Sequence, residues 1–76
     1  MFNHDDIVVV LKEHDGYYSA IGLVCKVIYL DGEEAEVEFL SEDAMNDTWW
    51  YPNSSAYLKN IDDYTAEEFN KFFLIN

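Results

Sequence analysis

The chain has no arginine, one proline, one cysteine, three glycines and only four lysines in 76 residues. Sixteen acidic residues face those four lysines, and the formal charge is −12. Nucleic acids and anionic lipid surfaces draw protein affinity mainly from lysine and arginine neutralising phosphate. The balance therefore argues against direct nucleic-acid binding and against a membrane surface. A single cysteine, Cys25, forms no internal disulfide. It lies in an apolar strand pattern, which predicts a buried free thiol in a reducing, cytoplasmic setting. Gly16, Gly22 and Gly32 are too scattered for a phosphate-cradling loop. No apolar run approaches the roughly 18 residues of a membrane-spanning helix. The first six residues, Met1 to Asp6, hold no basic cluster of the signal-peptide kind. The length excludes a doubly wound nucleotide fold and predicts one domain over residues 1–76.

Half the residues are hydrophobic and 17% are aromatic, enough to predict a packed core rather than a disordered chain. The acids are uneven. Residues 1–30 carry four acids and two lysines, whereas residues 31–76 carry twelve acids and two lysines. Such a field attracts basic proteins and speeds their encounter. The plain alternative is that the acidity serves solubility.

Five short strands are legible. Ile7 to Lys12 is rich in β-branched residues, and a polar loop from Glu13 to Ser19 follows. A second strand runs from Leu23 to Tyr29 or Leu30. Asp31-Gly32 is a hairpin signal. Glu34-Ala35-Glu36-Val37-Glu38-Phe39 alternates acid and apolar, so Ala35, Val37 and Phe39 face inward and three glutamates face out. A three-residue loop, Leu30-Asp31-Gly32, with a bulge would pair Cys25 with Val37, Val27 with Ala35 and Leu23 with Phe39, and would turn Lys26 outward. After an acidic loop over residues 41–48, Trp49-Trp50-Tyr51 reads as a strand stopped by Pro52. Either Trp50 lies in the core and its neighbours outside, or the reverse. Ala56 to Ile61 is the last strand. Thr65 and Glu68 form a capping-box pattern at the start of a helix over about residues 65–75. Its stripe of Phe69, Phe72 and Phe73 closes one end of the domain or packs on a second copy as a homodimer.

The run Gly22 to Gly32 followed by Ala35-Glu36-Val37-Glu38-Phe39 resembles bacterial and phage SH3-like domains of the KOW and Tudor-like kind. Trp49-Trp50-Tyr51-Pro52 and Tyr57-Leu58 are similar to pieces of peptide-binding SH3 domains, although here the two pieces are fused. The resemblance implies a mainly β protein: a five-stranded SH3-like barrel over about residues 6–61 with a short C-terminal helix. Nucleic-acid-binding KOW domains carry basic loops where this chain has acids. The likeness is therefore to small acidic proteins that occupy the nucleic-acid-binding surface of a partner.

No nucleophile, base and orienting group recur at an informative spacing. Ser54, Ser55 and His14 could be assembled only on paper, and the chain reads as a non-enzyme with no cofactor. Asp31, Glu33 and Glu34 are hard oxygen ligands near a turn but lack calcium-loop spacing, so no metal is expected. The leading functional expectation is an acidic, DNA-mimicking module, of phage type, that inhibits a basic nucleic-acid-binding host protein. Its contact residues would be Asp31, Glu33, Glu34, Glu36, Glu38, Glu42, Asp43 and Asp47, with Trp49 and Tyr51 as aromatic anchors. The alternative is a peptide-binding or assembly module with a groove lined by Tyr17, Tyr18, Trp49 and Tyr57. A methyl-lysine cage of Tyr17, Tyr18 and Trp49 is a narrower form of that reading.

Overall fold

The computed structural model describes residues 1–71. Five strands form a single antiparallel sheet: β1 (Ile7–Val10), β2 (Val24–Asp31), β3 (Glu34–Phe39), β4 (Thr48–Pro52) and β5 (Leu58–Asn60). Their spatial order is β4-β3-β2-β1-β5. A four-residue helix, α1 (Ala66–Phe69), follows. Short 3₁₀ turns lie at Tyr18–Ala20, Glu42–Ala44 and Ile61–Asp63.

The sheet is open, and this corrects the expectation of an SH3-like barrel. β4 and β5 are its two edges and no ladder joins them. The local chemistry accounts for it. β4 ends at Pro52, which has no N–H to offer a ladder. β5 has only three residues, and the N–H of Leu58 is turned back to the Ser54 carbonyl at 3.1 Å.

The β2–β3 hairpin has the expected faces but a different register. Asp31 pairs with Glu34, so the turn is Gly32-Glu33 and not Leu30-Asp31-Gly32. Gly32 takes φ +62°, the glycine-first arrangement of a type II′ hairpin turn. Continued without a break, that register would set Val27 opposite Glu38 and turn Val27 and Cys25 to the outer face. The ladder instead skips Ile28, and beyond it Val27 pairs with Val37 and Cys25 with Phe39. The bulge lies inside the strand, not at the turn. One extra residue switches the phase of the alternation.

The core gathers on one face. Val8, Val10, Cys25, Val27, Ala35, Val37, Phe39, Tyr51 and Leu58 are all at most 1% exposed. Val9 points to the opposite face yet is also buried, next to β1's contact with the 3₁₀ turn at Ile61–Asp63. The N-terminus is tied down by Asn53. Its side chain accepts from the Phe2 N–H at 2.8 Å and donates to the Phe2 carbonyl at 3.2 Å. The capping box is formed in both directions: the Glu68 N–H donates to Thr65 Oγ1 and the Thr65 N–H donates to the Glu68 carboxylate. The Thr65 backbone hydrogen bond holds the Glu68 carboxyl below its ordinary 4.5. That support is present at neutral pH and fades as the pH falls through and below this value. Phe69 is half-buried; Phe72, Phe73, Leu74 and Ile75 lie outside the described residues.

Two substitutions test this packing in opposite directions. The Tyr51 hydroxyl is buried with no hydrogen-bond partner among the described residues, so Tyr51→Phe should raise stability by about 1 kcal/mol. Asn53→Ala leaves both Phe2 backbone groups unpaired and should lower it by about 1–3 kcal/mol. Urea unfolding of each variant beside the parent reads both; a destabilised Tyr51→Phe would mean that the hydroxyl is engaged.

Candidate functional site

The phase of β3 passes to β4 through direct pairing: Val37 with Trp49, Glu36 with Trp50 and Ala35 with Tyr51. Trp49 and Tyr51 therefore take the core side, and Trp50 the other. Tyr51 is fully buried, whereas both tryptophans are half-buried.

The long β1–β2 loop folds over Trp49. It is clamped at its base by the Gly22 N–H to the Val10 carbonyl at 2.8 Å and the Leu11 N–H to the Tyr57 carbonyl at 2.7 Å. At its tip, Asp15 and Gly16 adopt positive φ, and the Glu13 carboxylate accepts from the Gly16 N–H at 3.0 Å. This geometry presents the His14 carbonyl to β4, where Trp49 Nε1–H donates to it at 2.8 Å. Tyr17 meets Trp49 edge-to-face at 4.9 Å between centroids and Phe39 at 5.4 Å. The His14 ring stands against Tyr57 at 5.5 Å, and Lys12 Nζ lies 5.1 Å from the centre of that tyrosine ring.

Two depressions meet at Trp49. One, of about 600 Å³, is lined by Tyr17, Asn46, Asp47, Thr48 and Trp49. A smaller one, of about 200 Å³, is lined by Asp15, Thr48, Trp49 and Trp50. Each combines a fixed aromatic wall with an exposed carboxylate, Asp47 or Asp15. Such a surface can hold an aliphatic or cationic side chain.

The structure brings together Tyr17, Trp49 and Asp47 of the expected contact residues. Tyr57 joins through the β1–β2 loop, by the His14 ring, Lys12 and the Leu11 N–H. Tyr18 is 67% exposed in its 3₁₀ turn and makes no ring contact with Tyr17 or Trp49. The acids divide. Asp31, Glu33 and Glu34 are exposed at the hairpin end, and Glu36 and Glu38 are half-buried on the sheet's outer face. Glu42 and Asp43 lie in the 3₁₀ turn beyond the other end of β3, near Asp47 in sequence. The hairpin-end acids and the Glu42–Asp43 turn are separated by the length of β3, about 17 Å, with Glu36 and Glu38 along it. Asp31, Glu33 and Glu34 are not joined into a metal site; among the described residues no group of three or more candidate ligands is present. No helix among them is long and apolar enough to cross a membrane. The role of His14 in fixing Trp49 was not visible in the sequence, where it stands in a polar loop 35 positions away.

No protein-family model matches the chain, and no curated protein or solved structure matches it.

Cys25 is packed in the core with its Sγ 3.6 Å from the Val8 carbonyl, and burial pushes its thiol up to about 12. At pH 8 only about one molecule in ten thousand would carry a thiolate. A disulfide exchange reagent should therefore label the native protein only through unfolding, and label it at once in denaturant. Rapid stoichiometric labelling of the native protein would contradict the buried placement.

Proposed function

We propose that the chain is a non-enzymatic protein-binding module that takes a segment of a partner protein into the aromatic groove around Tyr17 and Trp49. The observation that carries this reading is the fixing of Trp49. Its N–H is held by the His14 carbonyl at 2.8 Å and its ring by Tyr17 at 4.9 Å, while the side chain stays half-exposed beside a depression. A large aromatic surface fixed before binding loses little conformational freedom on contact, the usual character of an interface anchor. Asp47 and Asp15 at the rim, and the charge of −12, favour a segment bearing lysine or arginine. The inhibitor reading, with carboxylates standing in for phosphates, draws on the net charge and the outward row of Glu34, Glu36 and Glu38. Its acids are strung along β3 and past both its ends.

The two readings separate on a panel of lysine- and arginine-bearing peptides assayed against the parent, Trp49→Ala and a variant with Glu34, Glu36 and Glu38 changed to glutamine. For peptides the parent binds, Trp49→Ala should weaken affinity by about tenfold or more. The triple change should act by only a few-fold, largely through association rate and salt dependence. Binding that survives Trp49→Ala and vanishes in the triple variant would favour the acidic face.

A further inference from the structure

We propose that the partner segment enters as a sixth, antiparallel strand along the open edge of β4, with lysine or arginine at the positions opposite Thr48 and Trp50. This rests on the peptide-binding reading above and adds the binding mode and the chemistry of the ligand.

The edge is defined by its own hydrogen bonds. The Asn53 N–H donates to the Glu33 carbonyl at 2.8 Å, and the Phe39 N–H donates to the Asp47 carbonyl at 2.9 Å. Antiparallel pairing alternates, so the odd-numbered residues of β4 turn their backbone groups toward β3. Thr48 and Trp50 turn theirs outward. The opposite edge is less open, because β5 is short and the Leu58 N–H is engaged by Ser54. Pro52 limits the added strand to the Thr48–Trp50 stretch.

The side chains flanking this edge specify the occupant. On the outer face Tyr29, Glu36 and Trp50 stand in one cross-strand row, with the Tyr29 and Trp50 rings 5.9 Å apart at 87°. The next row holds Lys26, Glu38 and Thr48. Glu36 thus has two aromatic rings and no cation as its row neighbours. A residue added opposite Trp50 extends the Glu36 row, and one added opposite Thr48 extends the Glu38 row. A cationic side chain opposite Trp50 meets the indole, and at either place the Glu36 or Glu38 carboxylate lies one strand further in and attracts it at longer range. The residue between them points to the other side, where Asp15, Thr48, Trp49 and Trp50 line the smaller depression. An aliphatic side chain suits that place. Antiparallel entry matches every pairing already in the sheet and is the more stable arrangement per residue. A second copy of this chain would bring another −12 of charge to the same edge. A basic segment is the complementary occupant.

The test uses a capped heptapeptide of alternating lysine and valine, and two versions methylated on the backbone nitrogen of either every lysine or every valine. In the proposed pairing the lysine N–H groups face β4 and the valine N–H groups face away. Lysine N-methylation should weaken binding by about tenfold or more, because a lost hydrogen bond or two is worth about that factor. Valine N-methylation should leave binding within a few-fold. Saturating peptide should also slow exchange of the Thr48 and Trp50 amides by about tenfold or more. Equal effects of the two methylations, or no binding at millimolar peptide, would overturn the proposal. Binding that perturbs the Tyr17 and Trp49 rings while the Thr48 and Trp50 amides exchange unchanged would remove strand addition and leave the groove standing. Edge pairing that persists in Trp49→Ala would do the reverse.

Discussion

Whether β2 and β3 turn their apolar residues to one face of the sheet depends on one residue without a ladder partner, Ile28. Side chains alternate along a strand, so a register odd by one turns every inward residue out. The turn at Gly32-Glu33 starts the hairpin with Ala35 inward opposite Leu30 and Glu36 outward opposite Tyr29; carried on unbroken, it would set Val27 and Cys25 of β2 on the glutamate face. Either those two residues would leave the core or the glutamates would enter it, and an ionised carboxylate buried without a partner costs several kcal/mol, comparable with the whole stability of a domain this size. The Ile28 bulge reverses the phase. Val27 then meets Val37 and Cys25 meets Phe39, so β2 and β3 share one buried face. Because β4 pairs directly with β3, the unbroken alternation of β3 places Trp49 and Tyr51 on the core side and Trp50 outside.

Much of this was legible in residue order. The fault-free alternation from Glu34 to Phe39 defines a strand and its buried side, and Thr65 with Glu68 marks a helix start. The register was not legible. Asp31-Gly32 permits several turns, and a bulge at Ile28 carries no local signal, since an isoleucine suits either face. For Trp49, Trp50 and Tyr51, alternation offers two phases, and the choice comes from pairing with β3, which is tertiary information. The closed barrel was mistaken for a related reason. Closure depends on whether the edge strands meet, and the pattern of strands and turns says nothing of that.

The site shows the same division. Trp49, Tyr17 and Asp47 were foreseeable as residue types suited to binding. The contact that fixes Trp49 was not, because the His14 carbonyl is a backbone group placed by a loop tip with two positive-φ residues. Asn53 was missed likewise: its partner Phe2 is 51 positions away. The acids, prominent in composition, are distributed by the fold along β3 and past both its ends. The aromatic groove and the open edge of β4 instead share one strand and adjoining surfaces.

The register of the β2–β3 hairpin is the claim on which the rest stands. The Leu40 N–H donates to the Val24 carbonyl at 3.0 Å, so by alternation Cys25–Phe39 and Val27–Val37 are the close, non-hydrogen-bonded pairs. Their α-protons should lie close enough for strong mutual nuclear Overhauser effects in solution. The account predicts those two cross-peaks, with Ile28 giving none to β3. Cross-peaks joining Cys25 to Val37 and Val27 to Ala35 would place the bulge in the turn and contradict it.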